Sequence, residues 1–513
     1  MKKIFSALIS MSLACMLVTQ SAFAVPPGFS GGVNNEYEYE EVLFITGKPI
    51  RFVGEITISE SKKDESGKLS YKFKLEPKDR SIDAKLSRSI SIDTQYTKRD
   101  DKGQTIGDAV IGSYSEKIEV GEDKYELEDF QFSKSDIIDN RAASDFLSGN
   151  FKGRKYYKIN KTEGSVTVDI SGGDVGYENF WGATGTNIID YKIDYKRTIA
   201  GEDGADDENV DWSGTARATV SDSTSKSLRY SANEAGFSSF NGGHMRVTNR
   251  EVTSRYSYSL PDMDDESVGI DQGDGEKTAP DGGSDTGSIE ISREMSPKIE
   301  RLIVPKFRDL SGHWAQSDIE KLYSLDVLEE SGDFFSPDVP ITRMEFIKGV
   351  MKACNIRPEM EDGKKSSSRS RRQPAEEAVF TDIDVKDEDY AYIKDAYQKG
   401  IIKGEQSGKF YPDSPLTRAQ AVTILIRALG FENKAPTPGY YSGFSDDRQI
   451  PSWGKASIYM AREIGLVQGD EQGRFNPNAV MTRSQASVMI VRFLEFLQRD
   501  LQRDYRENIV YYN

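Results

Sequence analysis

Histidine and cysteine are nearly missing from this chain, with two of each in 513 residues. That excludes a disulfide framework and leaves almost no material for a His/Cys zinc site or a Cys/His catalytic pair. Beyond residue 24 no run approaches 18 consecutive apolar residues, so no membrane-spanning helix is expected there. A basic excess is also lacking: the net charge of −17 argues against electrostatic nucleic-acid binding. No Gly-x-Ser-x-Gly elbow, His-Glu-x-x-His helix or Walker-type loop occurs. Aromatics are plentiful, with 25 Tyr and 24 Phe, which excludes a mainly disordered polymer.

The start of the chain reads as an export signal. Lys2 and Lys3 precede a mostly apolar stretch from Ile4 to Val18, and Ala22-Phe23-Ala24 supplies the small residues of a cleavage point. Residues 1–24 are therefore expected to be removed with Cys15, leaving a secreted chain whose one thiol is Cys354. Charge is uneven along it: residues 301–513 carry about −2 and residues 1–300 about −15.

Residues 25–260 alternate in the manner of half-buried strands. Leu69, Tyr71, Phe73 and Leu75 form one such series, Ile90, Ile92, Thr94 and Tyr96 a second, and Val166, Val168 and Ile170 a third. The polar stretch between Ile58 and Leu69 suits a hairpin loop. Ala142 to Leu147 hints at a short helix. The expectation is an all-β, sandwich-like antiparallel region. Residues 261–300, rich in Asp, Gly and Ser, read as an acidic solvated linker.

From Phe307 the chain repeats itself three times. Phe335-Ser336-Pro337, Phe410-Tyr411-Pro412 and Phe475-Asn476-Pro477 are each followed, five residues after the Pro, by Thr342-Arg343, Thr417-Arg418 and Thr482-Arg483. Upstream stand Phe307-Arg308-Asp309, Phe380-Thr381-Asp382 and Phe444-Ser445-Asp446, with Phe-to-Thr distances of 35, 37 and 38 residues. Ile319, Ile393 and Ile458 each precede an apolar pair by eight residues.

Each Thr opens a helix. Thr342 with Glu345, Thr417 with Gln420 and Thr482 with Gln485 have the spacing of a capping box. Positions four, eight and twelve after each Thr are Phe346, Val350, Cys354; Ala421, Leu425, Leu429; and Ala486, Ile490, Leu494. Those stripes predict three helices facing one another in a shared bundle, with Cys354 as packing. Capping leaves the Arg unexplained, because a cation is disfavoured at the positive end of a helix dipole. Free amides and a guanidinium together would receive a carboxylate or phosphate. Pairing to a neighbouring Asp is the structural alternative.

These motifs, with His313-Trp314-Ala315, resemble the S-layer homology domain over residues 307–500. The resemblance implies a pseudo-threefold, mostly helical body around a central bundle. Its grooves would bind secondary cell-wall polysaccharide, often through pyruvate-bearing sugars. It carries a ligand-contact role to Arg343, Arg418 and Arg483, and less directly to Asp309, Asp382 and Asp446. Gln420 and Gln485 depart from the family's usual Glu. Trp314 and Trp453 stand at equivalent places, either stacking on a sugar or packing, where the second repeat has Glu388. His313 aligns with Asp387 and Ser452, which favours a local turn role.

The expected order is signal peptide 1–24, β-rich region 25–260, linker 261–300, first repeat 301–358, basic insertion 359–378, second repeat 379–433, third repeat 434–500 and tail 501–513. The expected function is a non-enzymatic cell-surface protein, held on the wall by its repeats, with the β region displayed outward and other surface-layer proteins as further partners. Two alternatives are a wall-tethered hydrolase and a glycan- or protein-binding module. No cofactor is expected. Acidic stretches such as 202–208 allow calcium but lack EF-hand spacing. His244 has no partner motif. An outer-membrane barrel fits poorly with short, charged strands that lack lipid-facing alternation.

Overall fold

The structure is a computed structural model that describes residues 28–199, 208–231, 243–261, 284–303, 307–329, 332–358, 377–404, 408–436 and 440–501. The signal sequence, residues 359–376 of the basic insertion, the 202–208 stretch except for the backbone of Glu208 and nearly all of the tail fall outside these residues.

Fourteen strands make one antiparallel sheet. They are β1 (Val33–Asn34), β2 (Tyr39–Leu43), β3 (Ile50–Lys62), β4 (Ser66–Pro77), β5 (Ala84–Arg99), β6 (Gln104–Val120), β7 (Asp123–Asn140), β8 (Asp145–Ile159), β9 (Gly164–Asn179), β10 (Gly182–Ile199), β11 (Glu208–Ser231), β12 (Gly243–Pro261), β13 (Ser284–Glu294) and β14 (Lys298–Arg301). Strands β1 to β13 pair in sequence order, and β14 joins β12. This replaces the expected two-layer sandwich. A sandwich needs connections that change sheet, whereas here each strand pairs with the next, many through tight turns, and the sheet curls into a nearly closed barrel.

Alternation sets the inside. Tyr71, Phe73 and Leu75 are buried while Lys72, Lys74 and Glu76 between them are exposed. Many strands reach 15 residues or more, longer than expected from sequence. The inner face carries a neutral buried quartet. Arg88 reaches Glu41 at 2.8 Å and Glu116 at 2.9 Å, and Lys155 reaches Glu116 at 2.7 Å. Phe29 and Phe130 lie beneath the Lys155 ammonium at 5.4 and 5.2 Å.

Side chains stitch the two ends of the sheet together. Ser254 and Tyr256 each donate a hydroxyl to the Gly31 carbonyl at 2.6 Å. Arg293 of β13 pairs with Glu38 and Glu40 at 2.5 Å. Gly31 has φ +68°, and a Cβ there would press against the Tyr256 ring at 3.1 Å, so both conformation and space call for glycine.

Two local expectations change. Ser284–Glu294 and Lys298–Arg301 are paired strands, so the solvated stretch does not extend to 300; Ile291 is buried in the sheet. The rest of that stretch, 262–283, lies outside the described residues. Ala142–Leu147 is a turn entering β8 and not a helix, because Asp145, Phe146 and Leu147 pair with Glu178, Tyr177 and Gly176 of β9.

The C-terminal region holds six α-helices among the described residues: α1 (Gln316–Ser324), α2 (Arg343–Ala353), α3 (Tyr390–Gln398), α4 (Arg418–Leu429), α5 (Ser452–Glu463) and α6 (Arg483–Glu495). The nine predicted stripe residues of α2, α4 and α6 are all buried, at 9% exposure or less, in one apolar cluster. Cys354 is among them, and burial pushes its thiol up to about 12. No helix among the described residues is long and apolar enough to cross a membrane.

The sheet docks on the C-terminal ends of α2 and α4. Trp181, in the β9–β10 turn, is 2% exposed and its indole donates to the Ala353 carbonyl of α2 at 2.9 Å. The Ala143 amide donates to the Ala428 carbonyl of α4 at 2.9 Å. Both acceptors belong to the last helical turn, whose carbonyls have no partner within their own helix.

Candidate functional site

At the opposite ends of α2, α4 and α6 the repeats meet. The Ile341 amide donates to Met481 O, Met481 to Leu416 O and Leu416 to Ile341 O, at 3.0, 2.9 and 3.0 Å, which closes a ring through all three repeats. Thr342, Thr417 and Thr482 each cap their helix in a complete capping box with Glu345, Gln420 and Gln485. The cause is local: Thr accepts from the amide three residues on, while the Glu or Gln returns to the Thr amide.

The helix ends are not the open amide receptor that the sequence suggested. Arg343, Arg418 and Arg483 amides donate to Ser414, Ala479 and Val339 carbonyls, and the next amides to Pro412, Pro477 and Pro337. The adjoining repeat thus occupies the donors that a wall anion was expected to use.

The three guanidinium groups are placed differently. Arg343 lies over the Phe410 ring, Arg418 over Phe475 and Arg483 over Phe335, at 4.9, 5.1 and 4.6 Å from the ring centroids. Each repeat's Arg therefore rests on the next repeat's Phe, all partly exposed at the seams. The sequence marks the Phe-x-Pro segments only by their recurrence; the ring acts as a shelf for a cation from another repeat, a relationship that no single repeat contains.

Asp309, Asp382 and Asp446 hold those turns. Asp309 accepts from Phe335 and Ser336 amides at 2.9 and 2.6 Å, Asp382 from Phe410 and Tyr411 at 2.8 and 2.7 Å, and Asp446 from Phe475 and Asn476 at 2.7 and 2.8 Å. Ser336, Tyr411 and Asn476 sit at φ +57°, +58° and +57°, a conformation that needs such support in non-glycine residues. Burial opposes the charge of Asp309 and Asp382, but these amide hydrogen bonds hold both carboxyls below their usual range.

The seams are chemically unequal. Arg483 is paired with Glu345 at 2.5 Å, while the other carboxylate oxygen of Glu345 caps Thr342. Gln420 and Gln485 spend their carbonyl oxygens on the equivalent caps, leaving only an amide NH2 group. Arg418 donates to the Gln468 carbonyl at 3.1 Å and has no salt bridge among the described residues. Burial, followed by repulsion from Arg492, lowers its affinity for its proton, and attraction from Asp470 offsets this only in part.

Trp314 and Trp453 are 65% and 50% exposed, so neither is plain core packing. His313 accepts the Ala315 amide at 3.1 Å and Asp387 accepts the Asp389 amide at 3.0 Å, the same local turn in two repeats. His244 lies apart, buried beside Tyr230 in the sheet. No cluster of metal-ligating side chains occurs among the described residues.

Residues 306–347, 379–422 and 443–487 match the S-layer homology domain. The C-terminal part of the chain thus carries three S-layer homology repeats, one on each side of the hydrogen-bonded ring. Similar proteins include an exoglucanase of Acetivibrio thermocellus, 31% identical over 41% of this chain and 18% of its own. A cell surface protein of Thermoanaerobacter kivui is 36% identical over 24% and 16%. The surface-layer 125 kDa protein of Lysinibacillus sphaericus is 25% identical over 40% and 16%. The chain spans less than a fifth of the length of each.

Proposed function

We propose that this protein is held non-covalently on the cell wall by its three S-layer homology repeats, which grip an anionic, pyruvate-bearing wall polysaccharide through Arg343, Arg418 and Arg483. The repeats and the surface-protein relatives place it at the cell-wall surface. The observation that carries the reading is the set of guanidinium groups held on the neighbouring repeat's Phe. A cation already ordered at a partly exposed seam loses little freedom when it meets a carboxylate.

The finer reading is a pseudo-threefold body, supported by the ring of hydrogen bonds and by the cyclic order of Arg on Phe. Trp314 and Trp453 supply exposed rings on which sugar units stack. The three Asp act through the turns they hold. The sheet is displayed outward, because it docks at the helix ends opposite the arginines, roughly 17–20 Å away for helices of 11–13 residues.

The test is co-sedimentation of the mature protein with wall fragments. Retention on walls that keep their anionic polymer, and release from walls stripped of it, is expected. Equal retention on both would overturn the reading.

A further inference from the structure

We propose that the barrel lumen is a binding site for the terminal unit of a saccharide, separate from the repeats and independent of wall anchoring. A cavity of 690 Å³ lies inside the sheet at the end carrying the β3–β4, β5–β6 and β7–β8 turns. Glycine creates it. One inward rung reads Tyr96, Gly107, Asp136, Gly149, Asp174, Asn187 across six successive strands. Over Gly149 the two aspartates lean together, and a Cβ there would collide with the Oδ1 atoms of both.

The floor of this cavity is polar and charged. Lys134 holds Asp136 Oδ2 at 3.0 Å and Asp174 Oδ2 at 2.7 Å. The Asn187 side chain donates its NH2 group to the Gly28 carbonyl at 2.7 Å. Asp136 Oδ1 and Asp174 Oδ1 meet over Gly149 and are shielded from solvent, and burial together with the neighbouring Asp174 raises the Asp136 carboxyl to about 6, so that the pair shares a proton. Their Oδ2 atoms and the Lys134 ammonium present charge to the cavity, where hydroxyl or amine groups of a ligand can hydrogen-bond. The walls are of the opposite character, with Tyr71, Tyr96, Phe132 and Ile92 facing the same space.

A ligand that fits must carry clustered hydrogen-bond donors on one edge and apolar C–H groups on its faces. Sugar rings have that division, and the volume suits one or two of them. Lys134 already occupies the cationic place between the carboxylates, which disfavours a compact metal ion and leaves hydroxyl or amine donors. Exposed Glu60, Lys62 and Asp64 mark an open rim through which a chain end can enter.

Calorimetric titration of the full mature protein with glucose, N-acetylglucosamine and glucosamine tests this. At least one is expected to bind in the millimolar range, and the three arms separate hydroxyl from amine recognition. Asp174→Asn is expected to weaken binding by about tenfold or more while the melting temperature of the sheet is retained, and Gly149→Ala, whose Cβ would displace both aspartates, is expected to weaken it as much with a lowered melting temperature. Arg418→Ala should leave this binding unchanged while altering wall retention, which keeps the two sites apart. Should Gly149→Ala fail to fold, Asp174→Asn decides. No binding by any of the three sugars, or binding unchanged in Asp174→Asn, would overturn the proposal.

Discussion

The indole nitrogen of Trp181 hydrogen-bonds the carbonyl of Ala353, joining the curled sheet to the end of α2. Trp181 is almost completely buried there although it belongs to a turn, and Phe180 packs edge-on against it at 5.1 Å. Trp181→Ala removes the ring and leaves a terminal helix carbonyl without its donor. The expected cost is about 3–5 kcal/mol. Calorimetry of the wild type should show sheet and repeats melting together, and the variant should show two separated transitions.

The seams between repeats should respond differently to mutation. Arg418 lacks a carboxylate partner among the described residues, so Arg418→Ala is expected to weaken wall-polymer binding by roughly tenfold or more, with helicity retained. Arg483 is already held by Glu345, so Arg483→Ala should cost less. Glu345→Gln keeps the cap, as Gln420 and Gln485 do, and releases Arg483 for ligand. Its affinity should rise and its binding should become more salt-sensitive. Titration of the soluble polymer against the three variants checks the order.

Acid should unfold the barrel from within. Burial opposes the charge on Glu116, but Arg88 and Lys155 override it and hold the carboxyl at about 2, below its ordinary 4.5. A folded pKa below the unfolded one means that the stabilisation is complete above about 4.5 and is lost as the pH falls from there towards 2. Glu116→Gln leaves Arg88 and Lys155 undercompensated and should cost about 3–5 kcal/mol at neutral pH, flattening the acid limb. Melting temperature measured from pH 7 to pH 2 reads both effects.

Cys354 should be inert in the native protein. Its thiol is buried at the end of the α2 stripe and pushed up to about 12, so almost no thiolate exists at pH 8. A thiol reagent is expected to label it only after denaturant is added.

Features set by near neighbours were legible in the sequence. The capping boxes of Thr342, Thr417 and Thr482 depend on residues three apart, and all formed. The alternation of Tyr71, Phe73 and Leu75 named the inner face correctly because strand periodicity is a local property. Closure of the sheet was not legible, since Arg293 and Glu40 meet across 253 residues of sequence. The composition of residues 261–300 concealed Ile289 and Ile291, whose spacing marks β13. The Arg of each repeat stands out in the sequence, but its Phe shelf and the carbonyls that use the helix-end amides lie in another repeat, out of reach of a single repeat's pattern.

The attachment of the sheet to the final turns of α2 and α4 has a mechanical consequence. Drag on the outer part of the molecule is delivered to Ala353 and Ala428 and then travels lengthwise down two rods towards Arg343 and Arg418. Helices resist stretching along their axes better than packed faces resist peeling apart. If the arginines hold the wall polymer as proposed, the pull passes through the stiffest elements of the molecule to the points of attachment.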